Sequence, residues 1–174
     1  MKKIIFLLSF SLFTLFTFSQ VTLTKNRPLP SVDIKDVKGN PFNTLKIKND
    51  GKPIIISFWA TWCKPCIKEL TTIADVYSEW MEETGVKLYA VSIDDARSSS
   101  LVEPLVSGKN WEYTVLLDQN GDFKRAMSVG PIPHTFVLNG KGEIVWQHTS
   151  FAEGSELDLI DIIRKLNKGE EIKQ

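Results

Sequence analysis

The 174-residue chain has few metal-ligating side chains, with two cysteines and two histidines in all. The cysteines, Cys63 and Cys66, form a single Cys-x-x-Cys, which is half of a typical zinc site. His134 and His148 are scattered in the sequence and could supply two further ligands, but no second closely spaced pair is present. A zinc-binding module is therefore a weak alternative, and no bound cofactor is expected.

The chain also lacks an excess of charge of either sign, because 21 Lys and Arg residues balance 21 Asp and Glu residues. A domain that binds nucleic acid usually has a basic surface, so no nucleic-acid partner is expected. Apolar residues make up 43% of the chain, which is enough for a packed core and excludes a disordered protein. The length fits one domain with short appendages.

Long apolar runs are missing as well, apart from a short one near the start. Residues 4–18 carry no charge and follow Lys2 and Lys3. This run has 15 residues, whereas a membrane-spanning helix needs about 20. Thr17 and Ser19 are small enough for the positions that precede a cleavage site. The segment therefore predicts a secretory signal peptide, and an uncleaved membrane anchor is the alternative.

Export would place the mature chain in the periplasm or another extracytoplasmic compartment. The signal peptide is expected over residues 1–19, a flexible lead over residues 20–29 and the domain over residues 30–170. An oxidising compartment permits disulfides. A bridge between Cys63 and Cys66 would nevertheless stabilise the fold little, by about 2 kcal/mol against about 4.7 kcal/mol for a 100-residue loop. The pair is therefore interpreted as reactive rather than structural.

The two cysteines lie where a buried strand is predicted to meet a helix. Residues 54–60 are too uniformly apolar for a half-exposed strand and indicate a central strand buried on both faces. From Lys64 to about Glu83 the apolar residues form one helical stripe, and Gly85 is a typical helix end. A Cys-x-x-Cys at such a strand-to-helix turn is typical of a thiol–disulfide redox site.

The rest of the pattern predicts an α/β fold whose first strand, helix and second strand form a right-handed βαβ unit. The other expected elements are a hairpin over residues 31–45, the second strand over 86–93, a helix that starts near 98 or 99 and is interrupted at Pro104, a strand over 113–117, a short helix to about Met127, a hairpin of strands 135–138 and 143–148, and a last helix opened by a capping box at 155–158.

Two segments resemble the thioredoxin superfamily, and more closely its TlpA/ResA-type extracytoplasmic thiol–disulfide oxidoreductases. They are Phe-Trp-Ala-Thr-Trp-Cys-Lys-Pro-Cys at 58–66 and Gly-Pro-Ile-Pro-His-Thr-Phe at 130–136. The resemblance covers residues 30–168, approximately. It implies a thioredoxin-like fold in which helices flank a central mixed β-sheet, with an N-terminal β-hairpin and a central αβ insert before Tyr113.

The resemblance assigns the chemistry to the cysteine pair. Cys63 is expected to be the nucleophile, because the start of a helix stabilises its thiolate. Cys66, one turn later, is expected to resolve the mixed disulfide, so that the oxidised protein carries a Cys63–Cys66 disulfide. Lys64 and Pro65 are expected to tune the redox potential, and a proline before the second cysteine favours a reductant.

The resemblance also implies a substrate surface around the pair. Trp62 is expected to flank the dithiol, whereas Trp59 is more simply interpreted as a packing residue. Pro133 matches the family's cis-proline, which frees nearby backbone to pair with an extended substrate. His134 follows it, and is expected either to contact substrate or influence the thiol, or to be a partly exposed residue without a role. The residues expected to contact substrate are Trp62, Lys64, Pro65, Ile132, Pro133 and His134.

Glu69 is the candidate proton acceptor for Cys66. It lies three residues after Cys66, at the edge of the apolar stripe of the helix. The matching glutamate in ResA-like proteins approaches the active site and helps proton transfer, and a plain surface charge is the alternative. Thioredoxins instead carry a buried aspartate on the preceding strand, and this chain departs from them with Ser57 at that position.

Other redox functions remain as alternatives. Peroxiredoxins place Thr three residues before the reactive cysteine, and this chain has Ala60 there, so a peroxidase is remote. An oxidant or isomerase of protein disulfides is nearer, although a single domain without a dimerisation stalk is expected to be a monomer. The implied partners are proteins with disulfides or thiols, for which apocytochrome c is the family's best-known case, and a membrane thiol transporter of the DsbD or CcdA kind as electron donor.

Overall fold

A computed structural model describes residues 27–172 of the chain. The signal peptide predicted for residues 1–19 and most of the predicted lead, residues 20–26, lie outside the described residues. Within 27–172, none of the helices combines the length and the apolar character needed to cross a membrane.

The described residues form one mixed eight-stranded sheet with four α-helices, which confirms the predicted α/β fold class. The strands are β1 (Arg27–Pro28), β2 (Asp33–Asp36), β3 (Pro41–Asn43), β4 (Ile54–Trp59), β5 (Lys87–Ser92), β6 (Thr114–Leu117), β7 (His134–Leu138) and β8 (Glu143–Thr149). The helices are α1 (Lys64–Thr84), α2 (Val102–Gly108), α3 (Asp122–Ala126) and α4 (Ser155–Asn167). The strand order is β1-β8-β7-β4-β5-β6-β2-β3.

Strand β4 lies near the centre of the sheet and all six of its residues are buried, as its apolar sequence predicts. It pairs in parallel with β5 and antiparallel with β7. Alternate residues of β4 contribute to two separate cores. Ile55 and Trp59 pack with the residues of α1 and α4, and Phe58 packs on the other face, beside Phe123 and Phe136.

Helix α1 begins one residue after Cys63, which is its N-cap, and ends before Gly85. Gly85 adopts φ = 69° and donates its N–H to the carbonyl of Met81 at 2.9 Å. This left-handed C-cap confirms the predicted helix end, since a residue without Cβ takes that conformation at little cost.

The predicted N-terminal hairpin is present, and the segment between β5 and Tyr113 holds an insert that is helical and has no strand of its own. Strands β2 and β3 pair antiparallel, and β2 also pairs with β6, so the hairpin extends the sheet. The insert consists of a 3₁₀ turn, Ser99–Leu101, followed directly by α2. Pro104 does not interrupt this helix, contrary to the prediction, because it lies in the first turn, where its missing N–H would have had no partner within the helix.

The predicted capping box at the start of α4 is wrong. Gly154 is the N-cap, with φ = 93°, and Ser155 is the first helical residue. The Ser155 hydroxyl accepts a hydrogen bond from the N–H of Ala152, and the Glu156 carboxylate accepts one from the N–H of Gly154. The serine therefore fixes the preceding loop instead of capping the helix.

The last residues of the segment assigned to the lead pair with the sheet. Strand β1, within the range assigned to the lead, pairs antiparallel with β8, so that Arg27 lies opposite Ile144. The Arg27 guanidinium also donates to the carbonyl of Met127. Two backbone residues and one long side chain thus attach this segment to the edge of the sheet.

Candidate redox active site

Cys63 and Cys66 form a disulfide at the turn between β4 and α1, with an S–S distance of 2.04 Å. Cys66 is fully buried, whereas Cys63 retains 6% of its surface. Of the two sulfur-bearing residues, only Cys63 can therefore be approached from outside. This is the asymmetry that a nucleophile and a resolving cysteine require.

The first turn of α1 is arranged to stabilise negative charge on Cys63. The Cys66 N–H donates to the Cys63 Sγ at 3.3 Å. The N-terminal N–H groups of a helix have no acceptor within the helix, and the helix dipole is positive at this end. A thiolate on Cys63 therefore meets both a hydrogen-bond donor and a favourable field.

A second segment, distant in sequence, lies beside the cysteines. The Ile132–Pro133 peptide bond is cis, as predicted. The Cys63 Sγ lies 3.9 Å from the carbonyl oxygen of Ile132. Pro133 is buried and Ile132 is half-buried. The fold thus brings together the two segments on which the family resemblance rests.

The side chains that surround the disulfide on the outside are exposed. Trp62 exposes 65% of its surface, and Lys64 and Pro65 are also exposed. Trp59, in contrast, is fully buried and makes an edge-on contact with Trp111, with ring centroids 5.2 Å apart. The structure therefore separates a surface tryptophan beside Cys63 from a core tryptophan beneath it.

Glu69 is buried, so it is not the surface charge that was the alternative to a role in the site. Its Oε1 accepts a hydrogen bond from the Thr135 hydroxyl at 2.8 Å, and its Oε2 accepts one from the Ser57 hydroxyl at 3.3 Å. Burial raises the pKa of Glu69 to about 7, and the hydrogen bonds from Thr135 and Ser57 offset part of that rise.

Ser57 lies opposite Thr135 in the β4–β7 ladder, and both point to the face on which α1 packs. Glu69 thus places a buried carboxyl group from the helix beside Ser57. Glu69 and Thr135 also line a small pocket of about 10 Å³ between β8 and α4, with His148 and Glu156 among its other walls.

His134 is buried, not partly exposed, and it lies on the other face of the sheet. Its strand partner is Phe58, and its ring stacks on Phe136 with centroids 4.3 Å apart. Burial lowers the pKa of His134, which favours the neutral imidazole. The structure therefore does not bring the His134 side chain to the face that carries Glu69.

The two histidines do not converge with the cysteines. His148 lies opposite Thr135 in the β7–β8 ladder, so these two side chains share one face of the sheet. His134, which the zinc hypothesis groups with His148, points to the other face. Within residues 27–172, no group of three His, Cys, Asp or Glu side chains is arranged to hold a metal ion. The geometry thus offers no support for the zinc alternative.

Sequence reasoning missed two polar residues at this site. Thr135 is one of them. It donates a hydrogen bond to Glu69, and its register opposite Ser57 places it where it can do so. Asp94 is the other, a fully buried carboxyl group that contacts Thr61 in the turn before Cys63. The signal in the sequence that could have indicated both residues was a polar side chain within or just after a strongly apolar strand.

Comparison with known proteins agrees with this geometry. The family model described as the AhpC/TSA family matches residues 26–147. Among curated proteins, the thiol–disulfide oxidoreductase ResA of Oceanobacillus iheyensis is 36% identical over 95 residues, which cover 55% of this chain and 48% of that protein. The protein of the same name from Geobacillus kaustophilus is 26% identical over 137 residues, which cover 79% of this chain and 76% of that protein.

A solved structure is more similar in sequence than these two. The solution structure of a thioredoxin-like protein from Porphyromonas gingivalis is 53% identical to this chain and superposes with a TM-score of 0.72. The match covers 80% of this chain and 92% of that one. The match to the Oceanobacillus protein, in contrast, spans about half of that relative's length.

Proposed function

The chain belongs to the AhpC/TSA family and carries the cysteine pair of a thiol–disulfide oxidoreductase, and from that premise we propose that it is an exported reductant of protein disulfides. The observation that carries the proposal is the asymmetric cysteine pair at the start of α1. Cys63 is reachable and receives an N–H hydrogen bond, while Cys66 is buried one turn before a carboxyl group whose pKa is about 7.

The exchange proceeds in two steps. The Cys63 thiolate attacks one sulfur of a substrate disulfide, which breaks the S–S bond and releases the other substrate sulfur as a thiolate. Cys66 then gives up its proton and attacks the Cys63 sulfur, which releases the second substrate sulfur. The substrate gains two electrons and two protons, and the Cys63–Cys66 disulfide seen here is the oxidised product.

Glu69 is the proposed proton acceptor for Cys66. It lies three residues further along the same helix, a spacing that puts two side chains on one face. A base works best when its pKa lies near the working pH, and burial brings the pKa of Glu69 to about 7. Its hydrogen bonds to Thr135 and Ser57 hold the carboxyl group on the side of the sheet where Cys66 is buried.

The substrate is proposed to bind as an extended segment beside the cis-proline. The exposed surface around Cys63 includes Trp62, Lys64 and Pro65, and the Ile132 carbonyl lies against the Cys63 sulfur. Backbone next to the cis-proline can pair with an added strand, which holds the target sulfur over Cys63 without demanding one sequence. Ile132 and Pro133 are the proposed contacts on that side, and the proposal assigns no substrate contact to the buried His134.

The direction of electron flow and the location are further parts of the proposal. The Lys64–Pro65 dipeptide favours a reductant, and residues 1–19 have the pattern of a secretory signal. An exported reductant must receive electrons through the membrane, so we propose a thiol transporter of the DsbD or CcdA kind as donor. Proteins with oxidised thiols, of which apocytochrome c is one possibility, are the proposed substrates, and the protein is proposed to act as a monomer.

Turnover assays on residues 20–174 test this function. With dithiothreitol as the electron source, the protein should accelerate the reduction of insulin disulfides, and Cys63→Ser should abolish that acceleration. Consumption of hydrogen peroxide under the same conditions should not exceed that of the Cys63→Ser protein. Peroxide turnover without insulin reduction would instead favour the peroxidase alternative. For export, the chain should be recovered from the extracytoplasmic fraction and should lose that location when residues 1–19 are deleted.

A further inference from the structure

Asp94 is a fully buried carboxyl group just beyond the end of β5. It accepts three hydrogen bonds: from the N–H of Thr61 at 2.8 Å, from the hydroxyl of Thr61 at 2.6 Å and from the hydroxyl of Ser92 at 2.8 Å. No salt bridge to Asp94 is present in the part of the chain that the structure describes. Its polar partners therefore belong to β5 and to the turn before Cys63.

Thr61 lies in the turn that joins β4 to α1, and this turn contains Cys63. The turn is closed by a hydrogen bond from the Cys63 N–H to the Ala60 carbonyl at 3.0 Å. Thr61 is held at two atoms, one on its backbone and one on its side chain, so neither its peptide plane nor its side chain is free to rotate. Asp94 thus fixes the chain two residues before the reactive sulfur.

Asp94 and Asp118 are buried carboxyl groups that follow neighbouring strands, and their hydrogen bonds go to different parts of the fold. Transfer of a carboxyl group from water into a protein core is unfavourable unless its hydrogen bonds compensate. Asp118 shows the usual compensation in the same fold, because it follows β6, is buried, and accepts the N–H groups of Phe123 and Lys124 at the start of α3. Asp94 makes no such helix cap among the described residues: one hydrogen bond that it accepts comes from Ser92 on β5, and the other two come from Thr61.

We propose that Asp94 is a positioning residue for thiol–disulfide exchange, which holds the turn at Thr61 so that the Cys63 sulfur stays against the Cys66 N–H and the Ile132 carbonyl. The inference rests on the proposed function only in that Cys63 is the attacking cysteine. The hydrogen bond from the Cys66 N–H, at 3.3 Å, needs the Cys63 sulfur in one place, since hydrogen bonds weaken steeply with distance and misalignment. The Ile132 carbonyl oxygen lies 3.9 Å from the same sulfur.

The test is the pH profile of Cys63 alkylation by iodoacetamide in the reduced protein, followed by mass spectrometry. In Asp94→Ala the midpoint should move to higher pH and the rate at pH 7 should fall about tenfold, as expected when the hydrogen bonds that hold the turn at Thr61 are lost. Asp94→Asn should stay within about twofold of wild type, because its oxygen can still accept from the Thr61 N–H and its NH₂ can donate to the Thr61 hydroxyl.

Asp118→Ala is the matched control, since it removes a buried carboxyl group at the end of the neighbouring strand. It should lower thermal stability and leave the alkylation profile unchanged. If Asp94→Ala does not fold, Thr61→Val decides, because it removes only the hydroxyl bond, and Thr61→Ser should restore the profile. An unshifted profile in folded Asp94→Ala, or in Thr61→Val when that variant decides, overturns the proposal. An equal shift in Asp118→Ala, or in Asp94→Asn, also overturns it.

The alkylation readout does not depend on the direction of electron flow. A normal profile in Asp94→Ala beside intact insulin reduction would remove the positioning role and leave the proposed function standing. A shifted profile in a protein that proves to be an oxidant would support the positioning role and overturn the proposed direction of electron flow.

Discussion

Thr135 on β7 donates a hydrogen bond of 2.8 Å to the carboxyl group of Glu69 on α1, 66 residues earlier in the chain. The bond joins the strand that follows the cis-proline to the helix that begins at the redox cysteines. It holds a buried carboxyl group whose pKa is raised to about 7 chiefly by desolvation. Glu69 can therefore change its protonation state near neutral pH, which most carboxyl groups in proteins cannot do.

Glu69→Gln should slow the resolving step and remove its pH dependence. In the wild type, the rate at which Cys66 displaces substrate should rise as pH increases through about 7, because Glu69 becomes a base there. The glutamine variant cannot accept a proton, and we expect a rate about 100-fold lower with no such rise. Stopped-flow measurement of substrate thiol release from pH 5 to 9 checks this.

The exposed Glu153→Gln is the control for the loss of an acidic residue, and it should retain the wild-type profile. A rise through pH 7 that persists unchanged in Glu69→Gln would assign the proton transfer to another group.

Glu69 should also make the fold less stable at alkaline pH. Its pKa in the folded protein, about 7, lies above its ordinary value of 4.5, so the folded state holds the proton more tightly. The stabilisation is complete below about pH 4.5 and is lost as pH rises through about 7. This difference corresponds to roughly 3 kcal/mol in the free energy of unfolding. Urea unfolding of the oxidised protein between pH 4.5 and 8.5 measures it.

The comparison with Glu69→Gln isolates this contribution, because the other titrating groups are common to both proteins. The difference in unfolding free energy between the wild type and the variant should change by roughly 3 kcal/mol between pH 4.5 and 8.5. A difference that is constant with pH would mean that Glu69 does not titrate there.

Cys66→Ser should trap the mixed disulfide between Cys63 and a substrate. The variant can still attack, because Cys63 and its exposed surface remain, but no thiol is left to release the substrate. Covalent complexes should accumulate on non-reducing gels and disappear on addition of dithiothreitol. Cys63→Ser should give none, and complexes that form through Cys66 in that variant would reverse the assigned roles.

The two tryptophans near the cysteines should respond oppositely to truncation. Trp59→Ala should destabilise the fold by about 3–5 kcal/mol, because it removes a fully buried ring that packs on Trp111. Trp62→Ala should change stability by at most about 0.5 kcal/mol, since this ring is mostly exposed. It should instead raise the KM for a protein disulfide. Chemical unfolding and insulin kinetics on both variants separate the two effects, and equal stability losses would contradict the assignment.

The parts of the fold that follow from local pattern were predictable from the sequence. The buried run of β4, the apolar stripe of α1 and the Gly85 cap each depend on residues close together in the chain. The cysteine pair belongs to this class, because its place at the junction of the two elements is set by its immediate neighbours.

The network around Glu69 was only partly predictable, since it depends on contacts between distant segments. Helical periodicity places Glu69 at the edge of the apolar stripe, but its burial is decided by the register that puts Thr135 opposite Ser57. The same limit applies to His134, because the presence of Pro133 before it does not indicate which face of β7 its side chain occupies. At Ser155 a local rule failed because the serine bonds to the preceding loop.

The reduction potential of the Cys63–Cys66 pair tests the central proposal most directly. It can be measured by equilibration of residues 20–174 with glutathione or dithiothreitol buffers. A value near or below about −250 mV, close to that of thioredoxin, is the expected result and identifies a reductant. A value near about −120 mV, as in DsbA, would mean that the protein introduces disulfides, and would contradict the proposed direction of electron flow.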